Sequence, residues 1–547
     1  MKTLSRRSTL IVWTYGLSLI LVNLGRAWAL TYHEAIFAEG AREFLRDGGW
    51  LIPRFLGKPL FEYPPLTQWL IAASMAVTGS EAEWVARLPI GLATVLGAWF
   101  IAKLAARWHG DRVGVVSALI QLTTFYGLMQ SRLAESDMIV SATVTMAMTC
   151  LALARVGVAD GAASCRWLML GYFGSTALSF LAKGPIGPAF IAMGSLAFAL
   201  LDRRRATWRF LVDPIGWALL LAVTLGWLAA MTRSDPRMPA MMRENILDRF
   251  TTGKAMDTDG REGPLYYLWI VPLLLFPWTP WVIAGAWRGR SGADRPAGSW
   301  TFLGCWFGAG LVLLSCSAFK HKHYVIPLLP PLSIVAAVGL LRQVEGRRPS
   351  RRAVASAGMV AALLAGSVAV GVAWSGRGPA WLPWLAPMLA IAGAGATASL
   401  WLRSRGEAGR SLVAVFGASW LMVLIVRSAV LPTMDDYRNE AALARRVNAK
   451  VSSGASIYLV HARFAQMGYY LRPLVIRQDR LADFSALMAR KADGDVTYAV
   501  APEADIAGLS ALGEVTVLEK SPMHKKLTVV SIRARGSVAA SKVEPPR

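Results

Sequence analysis

Long apolar segments separated by short polar loops run along the chain from its N-terminus to about residue 431. An α-helix needs about 20 apolar residues to cross the ~30 Å hydrocarbon layer of a bilayer, and most of these segments are close to that length. The pattern therefore predicts an all-α protein that crosses a membrane many times. The thirteen predicted spans lie near residues 9–30, 84–106, 113–132, 138–156, 166–182, 186–201, 214–231, 266–286, 300–318, 324–342, 353–374, 380–402 and 410–431.

The pattern changes after residue 431, where the long apolar segments end. Residues 438–451 have the 3.6-residue period of an amphipathic helix, and short segments rich in β-branched and aromatic residues follow. We therefore expect a membrane domain over residues 1–431, a small α/β domain over 432–536 and a disordered tail over 537–547. The predicted strands are residues 456–460, 473–478, 496–501, 514–519 and 526–535.

Composition and charge agree with a membrane protein. Hydrophobic residues make up 55% of the chain and charged residues only 17%, far from the usual soluble composition. The net charge of +24 does not indicate nucleic-acid binding, because the arginines concentrate in short loops at alternate ends of the spans, as expected for cytoplasmic loops. The N-terminus is therefore predicted inside. The first apolar segment is longer than a signal-peptide core, so we expect it to be retained, and an odd number of spans places the C-terminal domain outside.

The loops on the predicted outer side have a different character. Two of them are long and contain both acids and bases, over residues 31–83 and 232–265. Within the first, residues 64–79 form an apolar stretch too short to span a bilayer comfortably, which indicates an interfacial or re-entrant helix. Polar groups at this end of the spans are candidates for function, because charged side chains at membrane depth are costly without partners.

The first outer loop contains three candidate residues. His33 and Glu34 follow the first span, and if a helix begins there, its dipole favours an acid in the first turn. Glu34 is open to interpretation as a general base, a metal ligand or simply a first-turn acid. Glu62 precedes Pro64, which restricts Tyr63 to an extended backbone; it is either a site residue or a solvated acid in a turn.

Further candidates follow at the outer ends of later spans. Asp137, between the third and fourth spans, is either a site acid or a cap of the next helix. Several cations collect on the side where the topology favours few of them. A phosphate group would balance this charge, and the alternative is anchoring to lipid headgroups without chemistry. The candidate phosphate-binding residues are Lys183, Lys320, Lys322, His323 and Arg249.

Several segments resemble those of a known family. They are the acid after the first span, "AREFLRDGGWLIPRFLGKPLFEYPPL", "RLPIGLATVLGAWFIAKLAARWHGDRVG", "AKGPIG" and "FKHKHYVIPLLPPLS". Their order and spacing resemble the bacterial polyprenyl-phosphate-dependent membrane glycosyltransferases, which include the aminoarabinose transferases that modify lipid A and, more distantly, the protein O-mannosyltransferases. The resemblance covers the membrane part and implies the GT-C fold, an active site at the outer leaflet and a sugar donor held on a polyprenyl phosphate.

The resemblance also assigns roles to residues. The family motif usually opens with Asp-Glu, whereas this chain has His33 and Glu34, so the resemblance implies that His33 or Glu34 deprotonates the acceptor. Glu62 matches a family acid involved in handling a metal or the acceptor, and Asp137 matches an outer-face acid. No strong metal-binding spacing is present, and a divalent metal ion is an open option with Glu62 and His33 as its candidate ligands.

The chain departs from the family at two phosphate-binding positions. Ile36 and Tyr63 stand where family members often have arginine and lysine. The resemblance then implies that Lys183, Lys320 and Lys322 replace them, with Lys320 at a position that is usually basic in the family.

The predicted function is transfer of a sugar from a polyprenyl-phosphate donor to an acceptor at the outer face of the bacterial inner membrane. The acceptor is a lipid such as lipid A, a glycan or a protein, and the motifs name neither it nor the sugar. A polyprenyl-lipid flippase is an alternative, although the ionisable groups gather at one face rather than at the midplane. A catalytically inactive homologue is the second alternative, because the family Asp is replaced by His33.

Overall fold

The computed structural model describes most of the chain. The described residues are 3–25, 29–60, 63–156, 166–243, 251, 254–255, 258–259, 262–288, 298–346, 349–351, 354–359, 361–363, 365–366, 382–433, 440–460, 462–478, 481–521 and 527–534.

Helices dominate the described residues. In chain order the α-helices are α1 (Arg6–Leu21), α2 (Tyr32–Asp47), α3 (Leu66–Thr78), α4 (Glu83–His109), α5 (Asp111–Thr123), α6 (Phe125–Gln130), α7 (Asp137–Arg155), α8 (Arg166–Lys183), α9 (Ile186–Asp202), α10 (Arg205–Leu211), α11 (Pro214–Ser234), α12 (Met238–Arg243), α13 (Tyr266–Leu274), α14 (Thr279–Arg288), α15 (Ser299–Cys316), α16 (Pro330–Glu345), α17 (Leu385–Ser404), α18 (Ala408–Ile425), α19 (Leu431–Thr433), α20 (Glu440–Asn448), α21 (Leu481–Met488) and α22 (Ile506–Ser510). Short 3₁₀ helices cover Lys322–Leu328, Leu382–Trp384, Ala462–Tyr469 and Glu503–Asp505, and a π-helical turn covers Val426–Val430.

The strands are short in the first half of the chain and longer near its end. They are β1 (Arg54–Phe55), β2 (Lys58–Pro59), β3 (Lys254–Ala255), β4 (Thr258–Asp259), β5 (Ser456–Val460), β6 (Leu474–Gln478), β7 (Val496–Pro502), β8 (Gly513–Lys520) and β9 (Leu527–Ala534). The chain folds into two compact units. The first consists of Met1–Gly25, Gly49–Pro53 and Leu60–Val430, and the second of Arg26–Gly48, Arg54–Pro59 and Leu431–Arg547.

The first unit contains the helices that suit a membrane. Among the described residues, six helical segments are long and apolar enough to cross a bilayer, and two bent helix pairs pass the same test. A helical protein with several membrane-suited helices is therefore confirmed, whereas the count of thirteen spans stays a prediction. The six segments are Glu83–His109, Asp137–Arg155, Arg205–Ser234, Ser299–Cys316, Leu382–Ser404 and Ala408–Thr433. The bent pairs are Tyr266–Leu274 with Thr279–Trp287, at 107°, and Lys322–Leu328 with Pro330–Glu345, at 65°.

The burial of these helices distinguishes a central helix from peripheral ones. In α7, 89% of the most apolar window is buried inside the protein, compared with 17% in Ala408–Thr433. A helix that is apolar on all sides is either enclosed by other helices or faces lipid. The helix α7 is therefore enclosed by its neighbours, and this places its first residue, Asp137, inside the unit.

Close backbone packing between helices depends on glycine at two positions. A Cβ atom on Gly339 of α16 would collide with the carbonyl oxygen of Trp281, and one on Gly285 of α14 would collide with that of Val335. Only glycine allows two helix backbones to approach this closely. The pair α14 and α16 is thus packed backbone to backbone.

The second unit is built around a mixed five-stranded sheet. The strand order is β6-β5-β7-β9-β8, with β5 parallel to β6 and β7, and β9 antiparallel to β7 and β8. Side chains alternate between the two faces of a strand, so Ile457 and Leu459 pack in one core while Tyr458 and Val460 pack in the other. Helix α2 and the hairpin β1–β2, although distant in sequence, belong to this unit.

Candidate functional site

An ion pair joins the beginning of α7 to the end of α8. Asp137 is the first residue of α7, Lys183 is the last of α8, and Lys183 Nζ lies 2.7 Å from Asp137 Oδ1. The exposed fractions of the side chains are 9% for Asp137 and 16% for Lys183, so the pair is largely shielded from water and interacts more strongly than a surface pair. Gly184 follows with a φ of +68°, which glycine adopts without strain and which turns the chain into α9.

Two tyrosine rings lie beside lysine ammonium groups in the same unit. Lys183 Nζ lies 5.5 Å from the ring centroid of Tyr324, and Lys322 Nζ lies 5.9 Å from that of Tyr126. These distances are within the range of cation–π attraction. The ring of His323 lies 4.7 Å from that of Tyr324. We call Lys183, Lys322 and His323, with the two tyrosine rings, the cationic cluster.

The segment that carries most of this cluster is held by its backbone. Tyr267 Oη donates a hydrogen bond to the carbonyl oxygen of His321, at 3.0 Å. The rings of His321 and His323 stack with their centroids 5.0 Å apart and their planes at 22°. Lys322 between them is exposed. The 3₁₀ helix Lys322–Leu328 therefore presents an ammonium group and an imidazole close together.

Lys320 has a different environment from the other predicted cations. It is buried, and its Nζ donates to the carbonyl oxygen of Glu262, at 3.1 Å, and to that of Ser317. A buried ammonium with carbonyl acceptors already has part of its charge solvated by the protein. In this arrangement Lys320 joins Glu262, in the segment before α13, to the segment before the 3₁₀ helix.

His33 and Glu34 lie at the start of α2 in the second unit. Glu34 Oε2 accepts a hydrogen bond from the backbone N–H of Thr31, at 2.9 Å, and Thr31 Oγ1 accepts one from the backbone N–H of Glu34, at 3.2 Å. This is a capping box, which satisfies two backbone donors that the helix cannot satisfy itself. Glu34 is fully buried, whereas His33 is exposed and its ring contacts that of Tyr32.

The remainder of α2 packs on the C-terminal part of its unit. Arg42 pairs with Glu39 at 2.8 Å, donates to the carbonyl oxygen of Tyr469 at 3.0 Å, and its guanidinium carbon lies 4.0 Å from the Tyr469 ring centroid. Glu43 Oε1 accepts from the backbone N–H of Gly57 at 2.9 Å. Burial raises the pKa of Glu43, and this hydrogen bond offsets part of the rise. Glu39 and Glu43 are four residues apart on α2, which puts them on the same face of the helix, and both are buried.

Two predicted site residues, Glu62 and Arg249, lie outside the described residues. The metal prediction involves Glu62 and therefore stays a prediction. Within the described ranges, no group of three or more His, Cys, Asp or Glu residues is arranged to hold a metal ion.

The sequence did not reveal the two tyrosines of the cationic cluster. Tyr324 follows the quoted lysine and histidine residues directly, so its position in that segment was an available signal. Tyr126 carried no signal, because it is almost 200 residues away from Lys322 in the chain and only folding brings them together.

Comparison with known proteins shows similar sequences and a similar fold. Residues 62–229 match the model of a family described as dolichyl-phosphate-mannose-protein mannosyltransferase. A protein of Edwardsiella ictaluri, named undecaprenyl phosphate-alpha-4-amino-4-deoxy-L-arabinose arabinosyl transferase, is 28% identical over 321 residues, which cover 57% of this chain and 55% of that protein. A protein of the same name from Pseudomonas aeruginosa is 28% identical over 353 residues, which cover 62% of this chain and 61% of that protein. These matches span less than two thirds of each relative.

The structural similarity extends over nearly the whole chain. The crystal structure of ArnT from Cupriavidus metallidurans bound to undecaprenyl phosphate superposes with a TM-score of 0.79 at 21% sequence identity, covering 95% of this chain and 97% of ArnT. At this identity the similarity shows a common fold. The predicted resemblance to the polyprenyl-phosphate-dependent membrane glycosyltransferases is confirmed by the match within residues 62–229 and by the similar sequences, and the chain shares the fold of ArnT.

Proposed function

We propose that the protein is a multi-pass membrane glycosyltransferase of the GT-C fold that transfers a sugar from a polyprenyl-phosphate donor to an acceptor at the outer face of the inner membrane. The names of the curated relatives describe transfer from undecaprenyl phosphate, and ArnT, which has the same fold, was crystallised with undecaprenyl phosphate. The observation that carries the proposal is the cationic cluster, in which Asp137 holds Lys183 beside the ring of Tyr324.

The cationic cluster suits the leaving group of this reaction. When the sugar is transferred, its bond to the lipid phosphate breaks and negative charge grows on the phosphate oxygens. Fixed cations stabilise such charge most effectively when they need no reorientation during the reaction. Lys183 meets this requirement because its ammonium is oriented by the carboxylate of Asp137. Lys322 and His323 add donors from the adjoining 3₁₀ helix.

His33 is the proposed general base, and Glu34 is proposed to fix its position. The carboxylate of Glu34 accepts a backbone hydrogen bond within the capping box and is fully buried. The imidazole of His33 is exposed, and imidazole is the side chain that most often accepts a proton in general base catalysis. His33 would accept the proton of the acceptor hydroxyl or amine as the sugar is transferred.

The proposed topology places the N-terminus in the cytoplasm, thirteen spans in the membrane and the C-terminal α/β domain in the periplasm. Its support is the arginine-rich character of alternate loops. Single cysteines at Arg405 and at Arg490, in a background without native cysteines, would test it with a membrane-impermeant maleimide on intact cells with a permeabilised outer membrane. Labelling at residue 490 without labelling at residue 405 is expected. The reverse would contradict the topology.

A transfer assay tests the proposed function. The full-length protein in proteoliposomes is given undecaprenyl phosphate carrying radiolabelled 4-amino-4-deoxy-L-arabinose, and lipid A as the first acceptor. Label should appear on lipid A, with release of free undecaprenyl phosphate in equal amount. If neither lipid A, envelope glycans nor periplasmic proteins take up label from this donor or from mannosyl and glucosyl donors, the protein is not a glycosyltransferase of this kind. Movement of the intact donor between leaflets would then favour the flippase.

A further inference from the structure

Two buried arginines lie between the end of α1 and the end of the last candidate span. Arg427, in the π-helical turn, is 2% exposed, and Arg132, in the loop before α7, is 5% exposed. Arg132 donates to the carbonyl oxygens of Val22, at 3.1 Å, and Asn23. The side chain of Asn23 donates to Ser428 Oγ at 2.6 Å. Asn23 thus contacts Arg132 through its carbonyl oxygen and Ser428, the neighbour of Arg427 in the chain, through its side chain.

The hydrogen bonds of the two guanidinium groups differ. Arg132 binds carbonyls at the C-terminal end of α1, where the helix dipole attracts a cation. In contrast, Nη1 and Nη2 of Arg427 are both buried and have no hydrogen-bond partner anywhere among the described residues. Among the described residues, the charged group that acts on Arg427 is Arg132, which has the same sign. A buried charge without a counter-ion and beside a like charge is strongly unfavourable.

We propose that Arg427 and Arg132 form a binding site for the phosphate group of a lipid headgroup or of inorganic phosphate. The two Nη groups of Arg427 form one planar edge, which matches two oxygens of a phosphate better than it matches a halide ion. Arg427 lies near the end of the candidate span Ala408–Thr433, and span ends lie at headgroup depth. A π-helical turn inside a helix is frequently found at a functional site.

This site is separate from the cationic cluster, with which it shares no residue. The phosphate would bridge the end of α1 and the last span, which already contact each other through Asn23 and Ser428. The bound anion would stabilise the helix ends. The proposal of this site does not depend on the proposed transfer reaction.

Thermal unfolding of the delipidated full-length protein in a neutral detergent tests the site. Sodium phosphate is compared with sodium chloride at equal ionic strength, in the wild type, in Arg427→Gln and in Arg405→Gln, an exposed arginine in the same unit that serves as the control. Phosphate should raise the melting temperature of the wild type and of Arg405→Gln, and the apparent affinity should fall by about tenfold or more in Arg427→Gln because a charge-assisted bidentate contact is lost.

A second arm identifies the source of the phosphate. The same three proteins are placed, in phosphate-free buffer, in nanodiscs of digalactosyldiacylglycerol, a neutral lipid whose headgroup contains no phosphate, with or without phosphatidylglycerol. Stabilisation by phosphatidylglycerol that requires Arg427 identifies a lipid headgroup, whereas stabilisation by sodium phosphate alone identifies free phosphate. If neither anion stabilises the wild type more than Arg427→Gln, no such site exists.

The anion-free proteins provide a further check. Without phosphate or acidic lipid, Arg427→Gln should be at least as stable as the wild type, because the substitution removes a buried charge that has no partner within the described part of the chain. A lower melting temperature of Arg427→Gln under these conditions would show that protein groups satisfy Arg427 and would overturn the site. If Arg427→Gln does not fold, native mass spectrometry of the wild type decides. A bound phosphate or phospholipid that is retained in Arg405→Gln and lost in Arg132→Gln supports the site, and its absence from the wild type rejects it.

Discussion

Lys183 Nζ donates a 2.7 Å hydrogen bond to Asp137 Oδ1 and at the same time lies 5.5 Å from the ring centroid of Tyr324. The carboxylate thus fixes an ammonium group on the face of an aromatic ring. Asp137 is held in turn as the first residue of the enclosed helix α7. The stability of the protein depends on both partners of this pair, whereas the proposed catalysis depends on the ammonium of Lys183. Variants can separate these two effects.

Replacing either partner of the pair should destabilise the protein. Lys183→Met leaves the buried carboxylate of Asp137 without this ammonium, and Asp137→Asn leaves the ammonium of Lys183 without this carboxylate. Each single variant should therefore lower the free energy of unfolding by about 2 kcal/mol. The double variant Lys183→Met/Asp137→Asn should recover most of this loss, because no unpaired charge is left. Sugar transfer should stay at least about 100-fold below wild type in the double variant, because the ammonium is absent. Unfolding in detergent and the transfer assay measure the two effects. Recovery of activity together with stability would assign Lys183 a structural role only.

Lys322 is expected to matter for transfer and little for stability. Its side chain is exposed and faces the ring of Tyr126, and an exposed cation–π contact contributes only about 0.5–1 kcal/mol. Lys322→Met should therefore unfold near the wild-type temperature but transfer sugar at least about tenfold more slowly. Lys103→Met is the matched control, because Lys103 Nζ also lies beside an aromatic ring, 4.4 Å from the ring centroid of Trp99, and the proposed topology places it at the other end of the spans. Equal rates in the two variants would remove Lys322 from the donor site.

His33 is expected to set the acidic limb of the pH–rate profile. His33→Gln should lose transfer activity, whereas His33→Asp, which supplies a carboxylate, should keep part of it and extend activity to lower pH, because carboxylates titrate about two pH units below imidazole. Glu34→Gln should mainly lower stability by weakening the capping box. The profile of transfer rate against pH, with melting temperatures as controls, distinguishes these roles. An unchanged acidic limb in His33→Asp would show that another group is the base.

Glu43 should make the stability of the protein fall as pH rises. Burial raises its pKa in the folded state, so the folded state binds the proton more tightly than the unfolded state does. Its contribution is therefore most favourable below the ordinary carboxyl pKa and is lost as pH rises through the raised value. Glu43→Gln retains an acceptor for the Gly57 N–H and removes the charge, so it should gain melting temperature over wild type towards neutral pH. Glu39→Gln breaks the pair with Arg42 and should therefore have a lower melting temperature than the wild type. A constant difference between Glu43→Gln and wild type from about pH 4 to 8 would contradict the raised pKa.

The sequence by itself determined the helical membrane part and much of the local structure. Apolar segments of bilayer length predicted helices where α4, α7 and α15 lie, because helix length and hydropathy are local properties. Candidate site residues could also be identified from the local sequence. Asp137, Lys183 and Lys322 are charged residues at the ends of apolar segments, where a charge without a partner is costly.

Tertiary structure alone decided which of these residues meet. The partners of Lys183 and Lys322, namely Asp137, Tyr324 and Tyr126, come from helices separated in sequence by 46 to almost 200 residues. Likewise, no periodicity indicated that Lys320 would be turned towards carbonyl oxygens, or that the end of α1 would lie beside the turn containing Arg427. Such contacts depend on how whole helices pack, and packing is set by side-chain shape across the unit rather than by the neighbours of a residue in the chain.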